Sequence, residues 1–321
     1  MEEWLDQTAF TVERSTMDAY RVHTDCHILP YFRPLRLTLS AIEPQHLQRY
    51  YNTMFKSGRT DGKGGLSANT VRKHHVLIHG ALKDAVNKNM IPYNPADRVT
   101  LPRVESFEAG FYNAEQANKL LEVAQGDPLE LVVVLMLFYG LRRSEVLGLR
   151  WSSVDFDKAC FTIEKTRVQS KSGIDDKNRT KTKRSRRSLP LVPEIVEIMK
   201  AAKVRQTENR LFFGGEYVAN DFVCKWPDGT PFRPDFVTRS FKRLLVHNKL
   251  PVIRFHDLRH SCASLMLSKG YSLKEISEWL GHSDISTTAN IYGHLEYEQK
   301  VNLAIGMAGI LDVQSKRKTS G

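Results

Sequence analysis

The run LELVVVLMLFYG, from Leu129 to Gly140, constrains this chain more than any other stretch. Only Glu130 interrupts its apolar character before Gly140. A helix that is apolar all round must be covered on every side. The run is well short of the roughly 20 residues needed to cross a bilayer, so it predicts a buried core helix that Gly140 ends. With 321 residues the chain has room for that core and for a second domain.

Periodicity separates two parts. The first hundred residues read as helical. Ser15 and Thr16 are placed to cap a helix running towards Leu29 and stopped by Pro30, and a second helix spans Pro44 to Lys56. SGRTDGKGG, residues 57–65, is a loop. Ser67 then caps a long helix through Asn87, with Val71, Ile78, Leu82 and Ala85 near helical spacing. Pro92, Pro95 and Pro102 read as a linker, which puts a domain boundary near Arg103, giving units 1–103 and 104–321. The second part is mixed. Helices are expected over Asn113–Ala124, from Leu129, from Ser144, and over Pro193–Val204, Pro234–Asn248, Leu258–Lys269 and Ser272–Leu280. Ser272 and Glu275 make a capping box, and Gly281 suits a helix end. Short strands are expected at Val154–Phe156, Cys160–Thr166 and Ser188–Leu191, and between them lies the polar, strongly basic stretch KSGIDDKNRTKTKRSRR, read as a basic hairpin. The expected fold class is mainly α with a small antiparallel β-sheet (α+β).

Lys and Arg number 47 against 36 Asp and Glu, and the sequence pI is near 9.4. Such a surplus favours a polyanionic partner, because neutralised phosphates release counterions. The four cysteines, Cys26, Cys160, Cys224 and Cys262, form no CxxC pair, which argues against structural zinc and a disulfide framework. They read as free thiols of a reducing cytoplasm. The start, MEEWLDQTAF, has no apolar signal core. No carboxylate cluster has metal-ligand spacing, and there is no GxxxxGK[ST] loop, so neither metal nor nucleotide is expected as a cofactor.

Several polar residues stand out only when taken together. Alone, Arg142 in YGLRRSEVLGLRW reads as a surface or capping residue. His256 and Arg259 in RFHDLRHS are three apart, hence on one helical face, which is ordinarily just solvated. His282 follows a helix-ending glycine, and Lys181 lies in a charge run. Tyr292 alone would be a half-buried core tyrosine. His74, His75 and His79 share one helix, but a metal site there is not expected. The strings YGLRRSE, KTKRSRRSLPL, HDLRHSCASLML and LGHSDISTTANIY, however, occur in that order within one domain.

In that order the chain resembles the tyrosine recombinases, or phage integrase family, over nearly its whole length. It looks most like integrases of Gram-positive phages and conjugative transposons. The resemblance implies a helical core-binding domain over 1–103 and a catalytic domain over 104–321. It makes Tyr292 the nucleophile, Arg142 and Arg259 the holders of the scissile phosphate, Lys181 the donor to the leaving oxygen, and His256 and His282 the family's two histidines. Glu145 matches a supporting acidic position. Arg143 adjoins Arg142, and Lys183 shares a strand face with Lys181, so each competes for its neighbour's role.

The chemistry suits those residue types. Attack on a phosphodiester gathers negative charge on the non-bridging oxygens, and guanidiniums donate paired hydrogen bonds to phosphate while staying protonated. A tyrosine hydroxyl, with a reference pKa of about 10, needs a base or a positive field to attack. The 5′ oxygen leaves poorly unless a general acid protonates it. Arg72, Lys73 and Lys83 on the first domain's long helix, with Lys183, Arg184 and Arg186, are the expected contacts to double-stranded DNA. The resemblance also implies a homotetramer on two duplexes, with the apolar segment from Val301 to Ile310 docked on a neighbour or in cis, and accessory DNA-bending or excision factors. The tail SKRKTSG reads as disordered. Two other readings are opposed by the sequence: a topoisomerase IB-like enzyme shares the active-site chemistry, but the two-domain layout and the LGHSDISTT string argue against it, and the complete set of expected residues argues against a non-catalytic DNA-binding regulator on the same fold.

Overall fold

Caps in the sequence open the longest helices of the first unit. The computed structural model describes residues 1–104, 110–177 and 186–281. The chain divides into Met1–Phe107 with Ser170–Gly173, and Glu108–Gln169 with Ile174–Gly321. In the first unit, α1 (Glu2–Thr8) precedes α2 (Arg14–His23). Contrary to expectation, Pro30 does not stop the helix that follows: α2 widens into a π turn at Thr24–Ile28 and resumes as α3 (Leu29–Phe32). The π turn resets the hydrogen-bond register, so Pro30 falls in the first turn of the next segment, where a missing N–H is tolerated. The start also differs, since Glu13 occupies the N-cap and Ser15 and Thr16 lie inside the helix.

α4 (Pro44–Ser57) and α5 (Ala68–Asn87) form the centre of this unit. The Ser67 hydroxyl accepts from the Thr70 N–H at 3.2 Å, as its position before the periodic run requires. Leu47, Tyr50, Tyr51 and Met54 of α4 pack with Val71, Leu77, Ile78 and Leu82 of α5. His74 is fully buried among them, its Nδ1 2.9 Å from the Tyr50 hydroxyl and its Nε2 3.2 Å from Nδ1 of His23. Pro95–Arg98 is a 3-10 turn capped by Asn94, and Ile91 and Ala96 join the same core.

In the second unit, Asn113 and Gln116 make a reciprocal capping box that opens α6 (Ala114–Ala124). The apolar run is α7 (Glu130–Tyr139), buried along nearly its whole circumference, and it ends at Gly140 in the left-handed region. α8 (Arg143–Gly148), α9 (Pro193–Phe213), α10 (Pro234–His247), α11 (Asp257–Ser268) and α12 (Leu273–Leu280) follow in the chain. α11 is the main partner of α7. α9 runs past the expected end at Val204 to Phe213, where Gly214 takes a positive φ, and Leu211 and Phe212 on its last turn are exposed.

Two small sheets complete the unit among the described residues. β1 (Val154–Asp155), β2 (Cys160–Ile163) and β5 (Arg187–Pro190) form an antiparallel sheet in the order β1-β2-β5, with Cys160 opposite Pro190 and Ile163 opposite Arg187. Phe161, Ile163 and Leu189 enter the core. The other sheet is not among the expected strands: β3 (Thr166–Ser170) precedes the basic stretch and pairs with β4 (Gly173–Lys177) at the stretch's start. No apolar alternation announces it, because an ion pair joins its strands. Arg167, 9% exposed, donates to both carboxylate oxygens of Asp176 at 2.8 and 2.7 Å. The helices with two small antiparallel sheets match the expected mainly α class. No helix among the described residues is long and apolar enough to cross a membrane.

Candidate active site

Helix ends build the site. The left-handed Gly140 ends α7, and the chain turns extended at Arg142, which becomes the N-cap of α8. The Arg142 N–H donates to Glu145 Oε2 at 2.9 Å, and its Nη1 donates to Oε1 at 2.7 Å. Glu145 is 2% exposed, whereas the Arg142 side chain keeps about a third of its surface open. The neighbouring arginine turns away: Arg143 Nη1 donates to Thr238 Oγ1 at 2.8 Å. The two candidates for one role thus differ in surroundings, and Arg142 alone of them adjoins the second buried arginine.

That second arginine is Arg259, on the first turn of α11 and 2% exposed. Its Nη1 donates to the Gly140 carbonyl at 2.6 Å, and its Nη2 to that of Leu280 at 2.9 Å. Arg142 Nη2 donates to the next carbonyl, Gly281, at 3.0 Å. Helix C-termini leave carbonyls without intrahelical partners, so the end of α12 offers a row of acceptors. Gly281, with φ +69, can turn the chain there. His282 follows directly.

Electrostatics follow from burial and crowding. Burial, then the charge of Arg142, pushes the pKa of Arg259 down to about 9, which leaves it protonated at neutral pH. Burial alone would raise the Glu145 pKa, but the charges and hydrogen bonds of Arg187 and Arg142 outweigh it and hold the carboxyl below its ordinary value. His256, the N-cap of α11, is exposed. Desolvation of its ring, then the neighbouring His260 and Arg259, lowers its pKa to about 4. It is therefore uncharged at neutral pH. Its ring meets that of His260 edge-on at 5.3 Å. Asp257, next in the chain, is buried and receives several hydrogen bonds from Arg254.

Of the residues singled out by sequence, Arg142, Glu145, His256 and Arg259 come together around the ends of α7 and α12 and the start of α11. Lys181, Lys183, Arg184, His282 and Tyr292 lie outside the described residues, as do the apolar segment from Val301 and the basic tail. Arg186 is exposed and pairs with Glu164 at 2.5 Å. On α5, Lys73 and Lys83 are exposed, while the Arg72 guanidinium donates to the Pro102 carbonyl at 3.0 and 3.2 Å. Sequence reasoning passed over Arg187. It sits on β5 two residues before the buried Leu189, and an arginine on the buried side of a strand is the signal that was available.

Arg142, Arg187 and Arg259 surround one carboxylate, Glu145, so this cluster carries excess positive charge. Anchoring the guanidiniums on backbone carbonyls fixes their orientation before a ligand arrives, and a bound anionic ester would meet donors already aimed. Fold and site together define a helical protein in which three arginines gather around one buried carboxylate at the helix ends. The phage integrase family model matches residues 111–299, more than half of the chain, and an N-terminal SAM-like domain of phage integrases matches residues 1–55. The chain belongs to the phage integrase family, the tyrosine recombinases, and is an enzyme that cleaves and rejoins DNA strands in site-specific recombination.

Relatives agree with that placement. A tyrosine recombinase XerC-like protein of Caldanaerobacter subterraneus is 28% identical over 94% of this chain and 80% of its own length. The ICEBs1 integrase of Bacillus subtilis is 27% identical over 75% of this chain and 65% of its own length. Among solved structures, the Tn1549 transposon integrase in complex with a circular intermediate DNA superposes with a TM-score of 0.73 at 20% identity, covering 92% of this chain and 97% of that one. That likeness speaks for the fold.

Proposed function

We propose that the described cluster is the phosphate-holding half of the recombinase active site, with Arg142 and Arg259 gripping the scissile phosphate and Tyr292 attacking it. The observation that carries this reading is the anchoring of both guanidiniums on consecutive carbonyls, Leu280 and Gly281, immediately before His282. In this reading Tyr292 displaces the 5′ oxygen and forms a 3′-phosphotyrosyl bond. His256 accepts the phenolic proton, Lys181 protonates the leaving oxygen, and His282 is the site's second histidine. The new ester conserves the energy of the broken one, so a free 5′ hydroxyl from a partner strand reverses the step and produces a Holliday junction. Glu145 positions Arg142 and does not itself react.

Residues 1–103 act as the core-binding domain and residues 104–321 as the catalytic domain, which together clamp duplex DNA. Lys73, Lys83, Lys183, Arg184 and Arg186 contact phosphates. Arg72 contributes less than its charge suggests, because its guanidinium is engaged with the Pro102 carbonyl. The working form is a homotetramer on two duplexes that integrates and excises a mobile element, with accessory DNA-bending or excision factors, in the bacterial cytoplasm at the nucleoid. Nicked, labelled duplexes carrying the ends of the host element test the chemistry. The wild type should give a covalent adduct on a denaturing gel, and Tyr292→Phe should bind the same DNA and give none. An adduct formed by Tyr292→Phe would assign the nucleophile elsewhere.

A further inference from the structure

We propose that Arg187, on β5, is a positioning residue for DNA cleavage, locking Glu145 against Arg142 and tying the strand to the end of α12. The inference rests on the reading of Arg142 and Arg259 as phosphate holders. Three arginines take three successive carbonyls. Arg187 Nε donates to Trp279 at 3.0 Å, Arg259 to Leu280 and Arg142 to Gly281. Arg187 differs from Arg259, whose other terminal nitrogen goes to the Gly140 carbonyl, in what else it holds. Its Nη1 and Nη2 lie 3.3 and 3.2 Å from the two Glu145 carboxylate oxygens, a paired contact with a side chain that is 2% exposed. The same carboxylate accepts from Arg142 Nη1 and from the Arg142 N–H. One buried anion thus joins an arginine that faces solvent to one that does not.

Close packing at the α12 end supports this. A Cβ on Gly281 would come within 2.7 Å of Arg187 Nη1, so glycine leaves the space that the guanidinium fills. β5 follows the segment that carries Lys181, and α12 leads into His282. Arg187 therefore couples the start of α8, β5 and the C-terminal end of α12, three places from which candidate reactive groups come. A buried carboxylate deprived of one partner loses much of the compensation for its desolvation, so Arg187 bears on whether Glu145 stays ionised.

The charged groups around Glu145 are Arg142 from its own element, Arg187 from β5 and Arg259 from α11. α12 offers backbone carbonyls, and the Cys262 thiol beside Arg259 is pushed up to about 12 by burial and is neutral. Without Arg187, burial acts on Glu145 against weaker opposition. Its pKa rises above that of the wild type, it protonates at a correspondingly higher pH, and Arg142 then loses its anionic partner.

The test is single-turnover cleavage of a nicked substrate across pH, with DNA affinity measured alongside. Arg187→Met should slow cleavage at neutral pH on the order of 100-fold, the scale of a small misplacement of reacting groups, with little change in DNA affinity. The acidic limb of its pH profile should move to higher pH. Adding Glu145→Gln should abolish that displaced limb. Arg187→Lys keeps the charge and carries the test if Arg187→Met does not fold. It should leave the limb near its wild-type position and cleave at an intermediate rate, because one ammonium does not hold both Glu145 and the Trp279 carbonyl. A profile for Arg187→Met parallel to that of the wild type, or wild-type cleavage by Arg187→Lys, would overturn the proposal. Arg142→Ala serves as the control. Undiminished cleavage by that variant would overturn the phosphate-holding reading itself, and this inference with it, whereas its failure to cleave leaves the Arg187 result to decide alone.

Discussion

Arg259 shows what a buried charge requires. It is 2% exposed, yet both terminal nitrogens find carbonyl partners at Gly140 and Leu280. Its charge has Glu145 nearby and competes with those of Arg142 and Arg187. An incoming phosphate would relieve that competition, so the pocket is more favourable with an anion than without one. Arg259→Ala is expected to lower cleavage by about 100- to 1,000-fold, the usual cost of one transition-state donor. It also leaves two buried carbonyls without their donor. Single-turnover adduct formation measures the first effect and thermal unfolding the second. Near-normal cleavage would remove Arg259 from the phosphate site.

At the scale of elements, the site depends on where helices stop. α7 ends at Gly140 with φ +60, and a Cβ there would meet Leu280 Cδ2 at 2.2 Å and Cys262 Sγ at 3.3 Å. The same residue's carbonyl orients Arg259. Gly140→Ala therefore combines left-handed backbone strain with a clash against α12 and should destabilise the protein by roughly 1–3 kcal/mol. Cleavage should fall further than the loss of folded protein explains, because the Arg259 anchor moves with the turn. Melting temperature and adduct yield, normalised to folded protein, separate the two effects. An unchanged melting temperature would show that the turn relaxes without cost. α12 itself is well marked in the sequence: Ser272 and Glu275 cap each other, and Gly281 closes the helix.

Over the whole molecule, the charge surplus of +11 bears on DNA affinity more than on folding. Binding to duplex DNA should weaken linearly in log–log form as salt rises, with a slope of about −0.9 per phosphate neutralised. Lys73→Ala and Lys83→Ala should each flatten that slope by about one. Arg72→Ala should flatten it less, since that guanidinium already serves the Pro102 carbonyl. Equilibrium binding across a salt series reads all three, and slopes identical to the wild type would place α5 away from the DNA backbone.

The sequence by itself determined the buried helix α7, the capped starts of α5 and α12, the family, and the identity of the residues expected to react. Those signals are local: spacing, caps, glycines at helix ends, and motif order along the chain. Tertiary structure decided the rest. It carried the helix through Pro30 by a π turn, built β3 and β4 on the Arg167–Asp176 pair, and set Arg142 apart from Arg143. It also brought Arg187 to Glu145, across 42 positions of chain. Propensity and periodicity report which face of one element is apolar. Which arginine meets which carbonyl depends on the packing of α7, α8, α11, α12 and β5 together, and no short window of sequence contains those contacts.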